Sequence, residues 1–91
     1  MTYRLEFAES ALKEWRKLGE TVRAQFKKKL AERLENPRVP AAKLSGPTDR
    51  YKIKLRASGY RLVYEVHDTT VTVVVLAVGR RDGIYESANR R

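Results

Sequence analysis

The chain has 91 residues and carries 20 Lys+Arg against 11 Asp+Glu, a net charge of +9 with its single histidine neutral. That length predicts one domain over 1–91 with a small core, and the absence of cysteine excludes disulfides, thiolate nucleophiles and cysteine-based zinc sites. The charge is spread over both halves, so the fold itself is basic and suits an anionic partner, either nucleic acid or an acidic protein.

The first segment, Thr2 to Phe7, alternates polar and apolar residues, placing Tyr3, Leu5 and Phe7 on one face of a half-buried strand. From Ala8 the spacing turns helical, with Ala8, Ala11, Leu12, Trp15 and Leu18 on the apolar stripe. Gly19 is expected to stop this helix in a left-handed cap, and Thr21 to cap a second one. The second helix buries Val22, Phe26, Leu30 and Leu34 and ends at Asn36-Pro37. Residues 37–49 read as a loop, with Ala42-Lys43-Leu44 as a docked turn. Three strands follow: Tyr51–Arg56, Tyr60–Val66, and the strongly apolar Val71–Val78 after a turn at Asp68-Thr69-Thr70. The last is expected to lie centrally. No apolar run approaches the roughly 20 residues a membrane span needs. Glu6 and Glu9 near the start argue against a secretory signal.

A two-residue hairpin turn at Ser58-Gly59 sets Leu55 opposite Leu62, Ile53 opposite Tyr64 and Tyr51 opposite Val66. One face is then wholly apolar. The other carries Lys52, Lys54, Arg56, Arg61, Val63 and Glu65. A one-residue slip would drive Arg61 into the core, so the choice of face is well determined. Like charges gathered on a sheet repel, lower a lysine's proton affinity and favour a polyanion. A lysine so perturbed can act as a general base, and arginine suits a phosphate gaining charge. The same lysines are equally explained as an ordinary solvated strand face. Arg80 and Arg81 lie where the chain leaves the sheet, and Tyr85 can stack on a base or pack on the sheet. Lys27, Lys28 and Lys29 form either a solvated helix face or a phosphate-backbone contact. Trp15 reads as core, and His67 as a surface residue of a turn.

The blocks Ala11-Leu12-Lys13-Glu14-Trp15-Arg16-Lys17-Leu18-Gly19, Tyr51-Lys52-Ile53-Lys54-Leu55-Arg56, Ser58-Gly59-Tyr60-Arg61-Leu62-Val63-Tyr64 and Val78-Gly79-Arg80-Arg81 occur in one order on one short chain. Together they resemble the RelE family of bacterial toxins, in the RelE/ParE superfamily. The resemblance implies an α+β fold: an N-terminal strand, a helical hairpin, three antiparallel strands in a curved sheet and a short C-terminal helix near Glu86–Arg90. It implies a cytoplasmic, ribosome-dependent endoribonuclease that needs no metal or other cofactor. Such a toxin cuts A-site mRNA on the 70S ribosome by 2′-hydroxyl attack on the adjacent phosphate. By position, Lys54 helps activate the nucleophile, Lys52 stabilises charge, Arg61 holds the scissile phosphate, Arg81 serves the leaving group and Tyr85 stacks on the codon. Lys27, Lys28, Lys29, Arg56 and Arg80 are further expected nucleic-acid contacts. The resemblance also implies an acidic RelB-like antitoxin as partner, with operator DNA reached only through it, and no membrane. Two departures stand out: Ser45 where related sequences can carry arginine, and a short step from Arg81 to Tyr85. The rival readings are a ParE-like inhibitor of gyrase and an RNA- or ribosome-binding module without catalysis.

Overall fold

A computed structural model describes residues 2–46 and 48–80. The elements run β1 (Arg4–Phe7), α1 (Glu9–Arg16), α2 (Glu20–Glu35), a short 3-10 turn (Pro40–Ala42), β2 (Arg50–Leu55), β3 (Tyr60–His67) and β4 (Thr72–Arg80). The sheet order is β1-β4-β3-β2, with β1 parallel to β4 and the other pairs antiparallel. The expected α+β architecture is therefore present, and the apolar strand β4 does lie between two neighbours. The expected C-terminal helix lies outside the described residues.

The helices cover one face of the sheet. Ala11 and Trp15 of α1, Leu18 in the link, and Phe26 and Leu30 of α2 meet Tyr51, Ile53, Leu55, Leu62, Tyr64, Val66, Val73, Val75 and Val78 in one core. Trp15 packs between Phe7 and Phe26, with ring centroids 5.1 and 6.2 Å away. Phe26 and Leu30 are fully buried, each contributing about 1.5–3 kcal/mol of hydrophobic stabilisation. Tyr3 and Phe7 reach this core, whereas Leu5 is exposed, because β1 is an edge strand that the helices do not cover at that position.

The link between the helices differs from expectation. Gly19 has φ −63° and ψ 155°, extended rather than left-handed, and it is the residue that precedes the first turn of α2. Thr21 therefore lies inside the helix. The break needs no glycine cap, because the Lys17 and Leu18 amides donate to the Glu14 and Trp15 carbonyls and tighten the end of α1. At the other end α2 stops at Glu35, and Pro37 follows as expected.

The β2–β3 hairpin turns through four residues, Arg56–Gly59, not two. Gly59 takes φ 75°, and its amide donates to the Leu55 carbonyl at 2.9 Å. This left-handed position closes the longer loop, and glycine occupies it without strain. Leu55 thus pairs with Tyr60, Ile53 with Leu62 and Tyr51 with Tyr64. The register is displaced by two residues from the expected one. Since side chains alternate with period two, every residue keeps its face while its cross-strand partner changes.

A bulge in the β3–β4 ladder sits at Val63/Tyr64: Val63 pairs with Ala77 and Tyr64 with Val75. Leu76 is the extra residue. It resets the alternation, so that Val73, Val75 and Val78 all reach the helix-covered core. Val63 and Ala77 form a small second cluster on the opposite face, under Leu44. The β3–β4 turn also runs one residue longer than expected. Val71 belongs to it, with φ 50°, and the strand starts at Thr72.

Candidate nucleic-acid interface

The side of the sheet away from the helical hairpin is organised in rows. Lys54, Arg61 and Gly79 form one row across β2, β3 and β4, and Lys52, Val63 and Ala77 form the next. Lys54 and Arg61 are directly opposed, about 5 Å apart at the Cβ atoms, and Lys52 is diagonal to Arg61 at about 7–8 Å. Gly79 adds no side chain beside Arg61. The row that holds Lys52 is apolar beyond it, and Leu44 covers it. The cations thus stand at the hairpin end of the face with an apolar floor beside them.

The register of the hairpin decides what Lys52 meets. In the expected pairing Lys52 would have faced Glu65. In the structure Glu65 faces Arg50 and binds it at 3.0 Å, and its other oxygen lies 2.7 Å from His67 Nε2. The carboxylate is engaged one row away from Lys52. Val63 stands opposite Lys52 instead.

The docked turn shapes the outer edge of β2. Leu44 N donates to Arg50 O, and Lys43 bridges to Tyr51. Arg33, reaching from α2, donates from Nη1 to Lys52 O at 3.1 Å and to the Tyr64 hydroxyl at 2.9 Å. The Tyr64 hydroxyl in turn donates to Pro37 O at 2.6 Å. Burial pushes the Tyr64 hydroxyl pKa up, while the Arg33 guanidinium opposes that shift. Nothing in the sequence marks Arg33, because an arginine near the end of a helix reads as solvated surface.

Two clefts border this edge. One, of about 600 Å³, is lined by Gln25, Lys28, Lys29 and Glu32 of α2 together with Lys54 and Arg56. The other, of about 300 Å³, is lined by Arg33, Lys52, Lys54 and Arg56 against Val39, Ala41 and Ala42. Lys54 and Arg56 belong to both. The helical period splits the lysine run: Gln25, Lys28, Lys29 and Glu32 share the groove-facing side, and Lys27 does not line it. Arg80 is also set apart, with its guanidinium 5.3 Å from the centroid of the Tyr60 ring. It pairs with Tyr60 across the ladder, on the side of the sheet that Tyr60 shares with the core. Arg81 and Tyr85 lie outside the described residues. Among the described residues no cluster of three or more His, Cys, Asp or Glu is placed to hold a metal, and no helix is long and apolar enough to cross a membrane.

This mixed sheet with a helical hairpin on one side is shared with solved structures of the E. coli toxin RelE. The family model described as ParE toxin of type II toxin-antitoxin system, parDE, matches residues 5–85. The mRNA interferase toxin RelE of Escherichia coli (strain K12) is 60% identical over 93 residues, covering 100% of this chain and 98% of the relative. A mutant of the E. coli toxin RelE in the free state superposes with a TM-score of 0.92 at 59% identity, covering 100% of this chain and 98% of that one. The intact E. coli RelBE toxin–antitoxin complex gives 0.85 at 64% identity, over 88% and 98%. The chain belongs to the RelE family, within the RelE/ParE toxin superfamily.

Proposed function

We propose that the protein is a ribosome-dependent endoribonuclease toxin that cleaves mRNA in the ribosomal A site. The observation that carries this reading is the Lys54–Arg61 pair, directly opposed on the face away from the helical hairpin with Lys52 diagonal to it, in a chain 60% identical to a relative named mRNA interferase toxin RelE. The chemistry follows from the side chains. Lys54 takes the proton from the ribose 2′-hydroxyl. The 2′-oxygen then bonds to the adjacent phosphorus as the bond to the 5′-oxygen breaks, and the leaving 5′-oxygen takes a proton from water, giving a 2′,3′-cyclic phosphate and a 5′-hydroxyl. Arg61 offers a planar set of donors to the phosphate as its charge grows, and Lys52 adds a second positive charge. By resemblance, Arg81 serves the leaving oxygen and Tyr85 stacks on the codon.

No histidine acid–base pair stands among the described residues of this face. An arginine is a poor proton donor, so much of the rate must come from holding the RNA in line. The ribosome supplies that alignment, and free RNA is expected to be cut little or not at all. Lys28, Lys29 and Arg56 extend the cationic surface from the reactive row toward α2, a layout suited to phosphate backbone. On this reading the protein works in the cytoplasm with an acidic RelB-like antitoxin, which a basic toxin attracts electrostatically; a structural relative is itself part of a toxin–antitoxin complex. Operator DNA is reached only through that partner.

The rival reading is a ParE-like inhibitor of gyrase, since the matching family model is described as a ParE toxin. Two assays separate the readings. Added to a ribosome complex with an open A-site codon, the protein is expected to produce new RNA ends at that codon. Added to gyrase, it is expected to leave supercoiling unchanged. Inhibited supercoiling without RNA ends would reverse the assignment.

A further inference from the structure

We propose that Arg33 is a positioning residue for the reaction, fixing the edge-strand segment that carries Lys52 and Lys54. The inference rests on the ribonuclease reading above. β2 is the last strand of the sheet, so among the described residues only β3 holds it through a ladder. Its outer side at Arg50 is clasped by Leu44 N. Two residues on, the Arg33 Nη1 atom takes over, donating to Lys52 O at 3.1 Å.

Arg33 is itself well anchored. The same nitrogen donates to the Tyr64 hydroxyl at 2.9 Å, and the guanidinium lies 5.8 Å from the centroid of the Tyr64 ring. Tyr64 is fully buried, stacks on Tyr51 at 5.7 Å, and donates to Pro37 O at 2.6 Å. One side chain thereby joins α2, the loop after it, the core tyrosine of β3 and the backbone of β2 at a proposed catalytic lysine. Holding the Lys52 carbonyl fixes the direction of its Cα–Cβ bond, and the two-residue period carries that constraint to Lys54. A base on an unrestrained strand edge would sample positions off the line of attack, and a displacement of about 1 Å can cost 10²-fold in rate.

Arg33 also lines the smaller cleft with Lys52, Lys54 and Arg56, so direct contact with an RNA phosphate is the competing role. The experiment measures single-turnover cleavage on programmed ribosomes against toxin concentration and salt for the native protein, Arg33→Met and Arg33→Lys, each normalised to its folded fraction. Arg33→Met keeps the stem and removes the donors. It is expected to lower the saturating rate about tenfold and to leave the half-saturating concentration and salt dependence unchanged. Arg33→Lys, whose ammonium can still donate to both oxygens, is expected to recover most of the rate. Amide exchange at residues 52–54 is expected to quicken in Arg33→Met and not in Arg33→Lys.

An unchanged saturating rate would overturn the proposal. So would a loss confined to half-saturation with a weaker salt dependence, which assigns Arg33 to the RNA. A lower melting temperature with an unchanged rate per folded molecule would reduce Arg33 to a structural residue. If Arg33→Met does not fold, the rate and exchange of Arg33→Lys decide, and a tenfold loss without faster exchange counts against the proposal. Failure of the native protein to generate any ribosome-dependent ends would refute the ribonuclease reading itself, a result distinct from all of these.

Discussion

Lys54 of β2 stands directly across the ladder from Arg61 of β3, both on the face away from α1 and α2. Two like charges on adjacent strands repel, and a polyanion on this face relieves that repulsion. Substituting either residue by alanine is therefore expected to lower ribosome-dependent cleavage on the order of 10²-fold or more. The melting temperature is expected to shift by only a few degrees, as for other positions outside the buried core. Cleavage assays alongside thermal unfolding test this; a large loss of stability with unaltered cleavage would separate the pair from the chemistry.

The lysine run on α2 makes a finer test of the groove. Lys28 and Lys29 line it with Lys54 and Arg56, and Lys27 does not. Removing a lysine that neutralises one phosphate reduces the salt slope of binding by about one. Lys28→Ala and Lys29→Ala are expected to weaken ribosome binding and flatten its salt dependence, whereas Lys27→Ala leaves both nearly unchanged. Equal effects of all three would mean that the groove geometry is irrelevant.

Val71 holds a left-handed φ of 50° in the β3–β4 turn, where a β-branched residue is strained. Its amide donates to Asp68 O, and its carbonyl accepts from Arg4 N, so the turn also starts the pairing of β1. Val71→Asn, which tolerates this region better, is expected to stabilise the protein by about 1 kcal/mol. Denaturant unfolding checks it, and a destabilised variant would show that the valine's packing outweighs the strain.

A second tie to β1 depends on pH. Arg38 binds Asp49 at 2.7 Å and Asp68 at 2.6 Å, and the Tyr3 hydroxyl donates to Asp68 at 2.8 Å. The Tyr3 hydrogen bond, then Arg38, hold the Asp68 carboxyl below its usual range, while the same hydrogen bond raises the Tyr3 hydroxyl. The Asp68 contribution is therefore present above its unfolded pKa of about 4 and is lost as pH falls through the lower folded value. The Tyr3 contribution is present below about 10 and is lost as pH rises through the higher folded value. In melting curves across pH, the deficit of Asp68→Asn is expected to shrink toward acid, and that of Tyr3→Phe toward alkali. Deficits that stay constant with pH would show that neither group is linked to folding in this way.

Much of the cationic face was legible in the sequence, for one reason. Alternation with period two assigned Lys52, Lys54 and Arg61 to one side and Ile53, Leu55, Leu62 and Tyr64 to the other, and that assignment survives a shift of two residues. The partners did not follow from it, because Arg56-Ala57-Ser58-Gly59 closes a four-residue loop as readily as Ser58-Gly59 closes a two-residue one. Only the left-handed Gly59 at the end of the longer loop decides. The bulge at Leu76 was hidden too, since every residue from Val73 to Val78 is apolar and none marks a change of phase. Arg33 was missed because its value lies in a tertiary contact with a strand carbonyl, which no helical pattern encodes. The core stripe of Phe26 and Leu30 and the buried Trp15 were plain from helical spacing.

The most direct test of the ribonuclease reading is cleavage of an A-site codon in a defined ribosome complex, compared with the same codon bearing a 2′-deoxy sugar at the cut position and with the same RNA free in solution. Cleavage of the ribosome-bound native codon alone is predicted, leaving a cyclic or 3′-phosphate end and a 5′-hydroxyl. Cleavage that persists on the deoxy substrate, or that proceeds equally fast on free RNA, would contradict the ribonuclease reading.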